Sequence, residues 1–108
     1  MSRRKRRETA EWKWEQALID DYYDHRWRQV LSPLCEQFKR WEAGELTHED
    51  MDHAIHETHK QNQTLYRLFV VEDRRSLVGL IQVDRAWFKT WVADNPPPSG
   101  IELVPYPD

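Results

Sequence analysis

The sequence predicts an all-α protein: a long helical hairpin, a short C-terminal helix and an extended Pro-rich tail, paired as a dimeric helical bundle. Three observations lead there. Apolar residues recur at the helical spacing of about 3.6 over long stretches. Glycine is scarce, with three in 108 residues, and turn residues do not recur every 8–12 or so positions as in an all-β domain. Six Trp, three Phe and four Tyr supply more aromatic surface than a disordered chain carries.

The first helix is expected from about Thr9 to Ala43. At about 100° per residue, Trp12, Ile19, Tyr23, Trp27, Val30, Leu34, Phe38 and Trp41 fall in one stripe. Gly44 suits the left-handed position just past the helix end. Pro33 lies inside the span and removes one backbone donor. A kink near Gln29–Ser32 is expected, or else a break with Ser32 capping a new helix.

The first half of that helix has a second apolar side, on which Trp14, Leu18 and Tyr22 recur four apart. A helix with two apolar sides touches two things. In so short a chain the second contact is expected to be another copy, which makes Trp14, Leu18, Tyr22, Trp87 and Trp91 the expected interface residues. A small domain buries only about two-thirds of its unfolded surface. With 39% hydrophobic and 32% charged residues, a symmetric dimer is the common remedy.

Thr47-His48-Glu49-Asp50 reads as a capping-box-like start for the second helix. Its core face is expected to be Met51, Ala54, Ile55, Thr58, Asn62, Leu65 and Phe69. Asn62 is informative there, because a polar seam residue weakens a bundle but fixes register or partner number. Past Val71 the helix either continues to about Gln82 or breaks between Asp73 and Ser76, with Gly79 arguing against an unbroken run. Asp84 is the expected cap of a last helix, Arg85 to Ala93, with Trp87, Phe88, Trp91 and Val92 on its docking side. Three regions follow: a basic arm at 1–8, a helical domain at 9–94 and an extended Pro-rich tail at 95–108.

Three clusters invite a chemical reading. His48, His53, His56 and His59 lie among Glu49, Asp50, Asp52 and Glu57, and imidazole with carboxylate suits Zn²⁺ or iron. The metal candidates are Asp52, His53, His56 and His59. Helical geometry turns them away from the core face, so a solvated outer face with no bound metal is expected. Asp21 and His25 are neighbours one turn apart beside the second stripe, and a hydrogen-bonded edge is expected there. Arg3, Arg4, Lys5, Arg6 and Arg7 form a basic cluster near Trp12 and Trp14, able in principle to meet phosphates and stack bases. In a chain of net charge −3 that footprint is weak, and a solvated arm without nucleic acid is expected.

The segment from Trp41 to Lys60, with Trp87-Phe88 and Pro96-Pro97-Pro98, resembles a small family of bacterial all-helical proteins of unknown function. The resemblance implies the fold and no active site. Lone Cys35 excludes an internal disulfide, no apolar run approaches the roughly 18 residues of a membrane span, and the polar stretch after the basic arm does not read as a secretion signal. A cytoplasmic location without a membrane partner is expected. No cofactor is expected. The leading expectation is a non-enzymatic interaction or regulatory module with an unknown protein partner. The alternatives are a metal- or cofactor-binding bundle using the His/Asp/Glu clusters and a nucleic-acid-associated protein using the arm.

Overall fold

The computed structural model describes residues 9–103. Among them are four α-helices and no strand: α1 Ala10–Glu42, α2 His48–Val71, α3 Arg74–Val83 and α4 Arg85–Asp94. The basic arm with Arg3, Arg4, Lys5, Arg6 and Arg7, and the last five residues of the tail, lie outside the described residues. The chain divides into two units, Met1–Tyr22 with Asp73–Asp108, and Tyr23–Glu72.

The first unit holds most of the core. The start of α1 supplies Trp14, Leu18 and Tyr22, α3 supplies Leu77, Val78 and Ile81, and α4 supplies Phe88 and Trp91, all buried. This corrects the expectation that Trp14, Leu18, Tyr22 and Trp91 meet a second copy. Leu18 is 0% exposed, so it has no surface left for one. The second apolar side of α1 does touch something, and it is the chain's own last two helices. Trp87, the fifth expected interface residue, is half-buried and packs edge-on against Tyr22 at 4.9 Å.

Local chemistry sets the helix ends. Thr9 accepts from the Trp12 amide at 3.1 Å as α1 begins. The helix runs unbroken through Pro33, so Ser32 does not start a new one. Gly44 has φ +80°, its amide donates to the Trp41 carbonyl and that of Glu45 to the Arg40 carbonyl. This is the Schellman pattern, which needs a left-handed residue at that point. Thr47 and Asp50 then form the reciprocal capping box, each side chain taking the other's amide at 3.0–3.1 Å.

α2 ends at Val71 and α3 begins at Arg74, because the Asp73 carboxylate takes the Ser76 amide at 2.8 Å. Of the two expectations for this stretch, the break is the one observed. Asp84 precedes α4 but makes no side-chain cap. Its carboxylate accepts instead from the Tyr22 hydroxyl at 2.9 Å. In the tail, a turn with Gly100 at φ +96° interrupts the expected extended run, closing from the Ile101 amide to the Pro98 carbonyl.

The second unit is the α1–α2 hairpin from Tyr23 to Glu72. It buries little: Met51, Ala54 and Leu65 are its only buried apolar residues, with Thr58 beside them. Ile55, expected in its core, is 42% exposed, and Asn62 and Phe69 are half-buried. On the α1 side, Tyr23, Trp27, Val30 and Leu34 are half-buried, while Phe38 and Trp41 are exposed. The stripe that dominates the sequence of α1 is therefore only partly covered.

Candidate interaction surface

The histidine-rich start of α2 forms an open depression lined by His48, Glu49, Asp52, His53 and His56. All five are exposed. His56 Nδ1 lies 2.8 Å from the Asp52 carbonyl oxygen and 3.5 Å from its carboxylate. His48 Nδ1 accepts from Trp41 Nε1 at 3.0 Å. Asp52, His53, His56 and His59 do not converge, and no group of three or more His, Cys, Asp or Glu among the described residues is arranged to hold a metal. Hydrogen bonds from Thr47 hold the Asp50 carboxyl below its ordinary value, and bonds from Ser76 do the same for Asp73. Both shifts come from helix capping.

In the first unit the polar atoms are spent on structure. Trp14 and Trp91 meet edge-on at 5.5 Å, and Trp87 stacks on Trp91 at 5.9 Å. Trp14 Nε1 donates to the Asn95 carbonyl and Trp91 Nε1 to the Asp21 carboxylate, each at 2.8 Å. Asp21 thus orients a core indole. Arg74, which sequence reasoning missed, donates to Glu15, Gln16 and the Trp12 carbonyl and lies 4.6 Å over the Trp12 ring. Its partners stand 58 to 62 residues away, so no local pattern announces it.

The hairpin differs. Two shallow hollows open along it. One, of about 280 Å³, is lined by Phe38, Trp41, His48, Met51, Asp52 and Ile55. The other, of about 470 Å³, is lined by Trp27, His59, Asn62, Gln63, Tyr66 and Arg67. At about 100° per residue the α2 residues of both hollows fall on the same flank of that helix. A third hollow, which takes Glu57, Lys60, Gln61, Thr64, Leu65 and Leu68 from α2, lies about 180° around it. Phe38, Trp41, Ile55 and Tyr66 are 36–57% exposed on the first flank.

Two buried polar atoms line the same flank without a partner. Trp27 Nε1 has no acceptor, and Asn62 Oδ1 has no donor, among the described residues. Each such atom costs on the order of 1–3 kcal/mol if left unpaired. The sequence places Asn62 on the seam; that its oxygen is both buried and unpaired became visible only in three dimensions.

These features define an all-α protein with one well-filled unit and one thinly filled hairpin. No helix among the described residues is long and apolar enough to cross a membrane. No protein-family model, curated protein or solved structure matches the chain.

Proposed function

We propose that the protein is a non-enzymatic interaction module that binds a protein partner through the flank of the hairpin carrying Trp27, Phe38, Trp41, Ile55 and Tyr66. One observation carries this reading. The hairpin buries three apolar residues, yet it exposes Leu31, Phe38, Trp41, Ile55, Tyr66, Val70 and Val71. Isolated apolar residues on a surface need no explanation, but several large ones gathered along one flank of a hairpin mark an interaction site. Aromatic anchors are also the side chains that dominate binding energy at interfaces.

The alternatives draw less support. The histidines that would carry a metal site are spread over an exposed helix face, and in a chain of net charge −3 the basic arm gives nucleic acid a weak electrostatic footprint.

The test is tagged capture from a lysate of the source cells, run with the natural chain and with Phe38→Glu/Ile55→Glu. Both positions are more than a third exposed, and circular dichroism checks that the variant keeps its helices. A protein recovered stoichiometrically by the natural chain, another copy of the chain included, and lost with the variant is the expected result. Identical recovery by both forms, or nothing specific from either, would refute the reading.

A further inference from the structure

We propose that Trp41 and His48 form a pH-sensitive clasp at the tip of the hairpin: the neutral His48 ring holds the Trp41 indole, and protonation releases it. The switch concerns contacts within one chain, so it holds whether or not the hairpin flank binds a partner.

Trp41 lies in the last turn of α1 and His48 is the first residue of α2, so their contact spans the turn between the helices. The backbone on both sides is held independently of it. The Trp41 carbonyl takes the Gly44 amide at 3.0 Å, and the reciprocal bonds between Thr47 and Asp50 secure the start of α2. On that frame the two side chains meet, with Trp41 Nε1 3.0 Å from His48 Nδ1 and the ring centroids 5.9 Å apart at a tilt of 55°.

The chemistry of the two groups makes this a contact that one proton breaks. An indole N–H donates and never accepts, a neutral imidazole offers one acceptor nitrogen, and an imidazolium offers none. Once Nδ1 carries a proton, two N–H groups face each other and the bond is lost. Imidazole is also the side chain whose charge changes between about pH 5 and pH 8. Trp41 is 36% exposed, so the released indole N–H can bond to water instead.

The surroundings offer the protonated ring other partners. Glu42 from the end of α1 and Glu45 from the turn line one hollow beside His48. Glu49 and Asp52 line the depression on α2, together with His53 and His56. Arg40 stands 3.9 Å from Glu45 and His56 lies beside Asp52, so neither carboxylate is wholly committed to His48. Asp52, one turn further along α2, is the neighbour that helix geometry brings to it. The positive end of the α2 dipole disfavours a cation at the first residue of the helix, and the charged ring gains by turning to these carboxylates. Protonation thus exchanges the indole for a carboxylate.

The test is NMR relaxation of the tryptophan indole N–H groups of the full chain at about pH 8 and about pH 5, with the Trp41 signal assigned by its loss in Trp41→Phe. In the natural chain the order parameter of the Trp41 indole is expected to fall from about 0.85 to below about 0.6. Trp14, whose indole donates to the Asn95 carbonyl, is expected to stay rigid at both pH values. His48→Gln offers a neutral acceptor that does not titrate, and its Trp41 indole is expected to have the same order parameter at both. His53 and His56 remain in that variant, so the comparison isolates His48. Circular dichroism checks the helix content of each sample.

A Trp41 indole equally ordered at both pH values in the natural chain overturns the clasp. A fall that persists in His48→Gln overturns it too, because another group would then carry the change. A fall shared by Trp14 also overturns it, because the change would not be local to the hairpin tip.

Discussion

Leu18→Ala separates an internal core from an intermolecular one. Leu18 is 0% exposed and lies between buried Trp14 and Tyr22 on the same side of α1. Its truncation removes apolar surface that only this chain covers, and neighbouring indoles held by hydrogen bonds to Asn95 and Asp21 cannot easily collapse into the space. Leu→Ala changes at such sites cost about 3–5 kcal/mol. A domain of this size has on the order of 5–15 kcal/mol in total, so the loss is a large share. It corresponds to a fall in Tm of more than about 10 °C. The assay is urea unfolding followed by tryptophan fluorescence, repeated over a hundredfold or so range of protein concentration. The destabilisation of this unit should be the same at every concentration. A loss below about 1 kcal/mol, or one that vanishes on dilution and appears only as the protein is concentrated, would refute the internal assignment.

Other expectations follow from the helix ends and the histidines. Thr47→Ala removes one half of the capping box and should destabilise the hairpin by about 1 kcal/mol, measured by urea midpoint at constant m-value. Asp50 and Asp73 have folded pKa values held below their ordinary ones. Their contribution is therefore present above the unfolded carboxylate pKa and is lost as pH falls through the carboxylate range. Asp73→Asn keeps a cap acceptor and removes that titration, so stability measured between about pH 7 and pH 3 should fall less steeply than in the natural chain; an identical slope would contradict the capping assignment. Replacing His53, His56 and His59 together by Gln should change stability by no more than about 0.5 kcal/mol per site, with no effect of EDTA on Tm. A chelator-induced fall reversed by zinc and absent in the triple variant would instead reveal a metal.

Helix boundaries were legible in the sequence because they depend on neighbours. Thr47 needs only the residue three ahead of it to form its capping box, and Gly44 needs only its own freedom at positive φ. The break before Arg74 was half-legible: Asp73 was in view as a breaker, but the gain of its cap over a continuous helix depends on how α3 docks. What each stripe touches was not legible. Periodicity placed Trp14, Leu18 and Tyr22 on one side of α1, yet nothing local says whether α4 or another molecule lies there. The stripe through Trp27 and Trp41 looked like core by its length and is only half-covered. Asp84 carries the same ambiguity in miniature, since a carboxylate before a helix reads as a cap until Tyr22 arrives from 62 residues away. Asn62 was visible as a polar seam residue, but an unpaired oxygen is a property of the packed hairpin. Arg74 was invisible because all of its partners are distant in sequence.

The central claim is that the first unit is complete by itself and the hairpin is not. Amide hydrogen exchange of the chain by itself reads this directly. The expected result is strong protection for amides of α3, α4 and the Trp14–Tyr22 stretch of α1, with faster exchange for α2 around Ile55–Tyr66 and α1 around Trp27–Trp41. Equal protection of the two units, or faster exchange in α3 and α4, would contradict it.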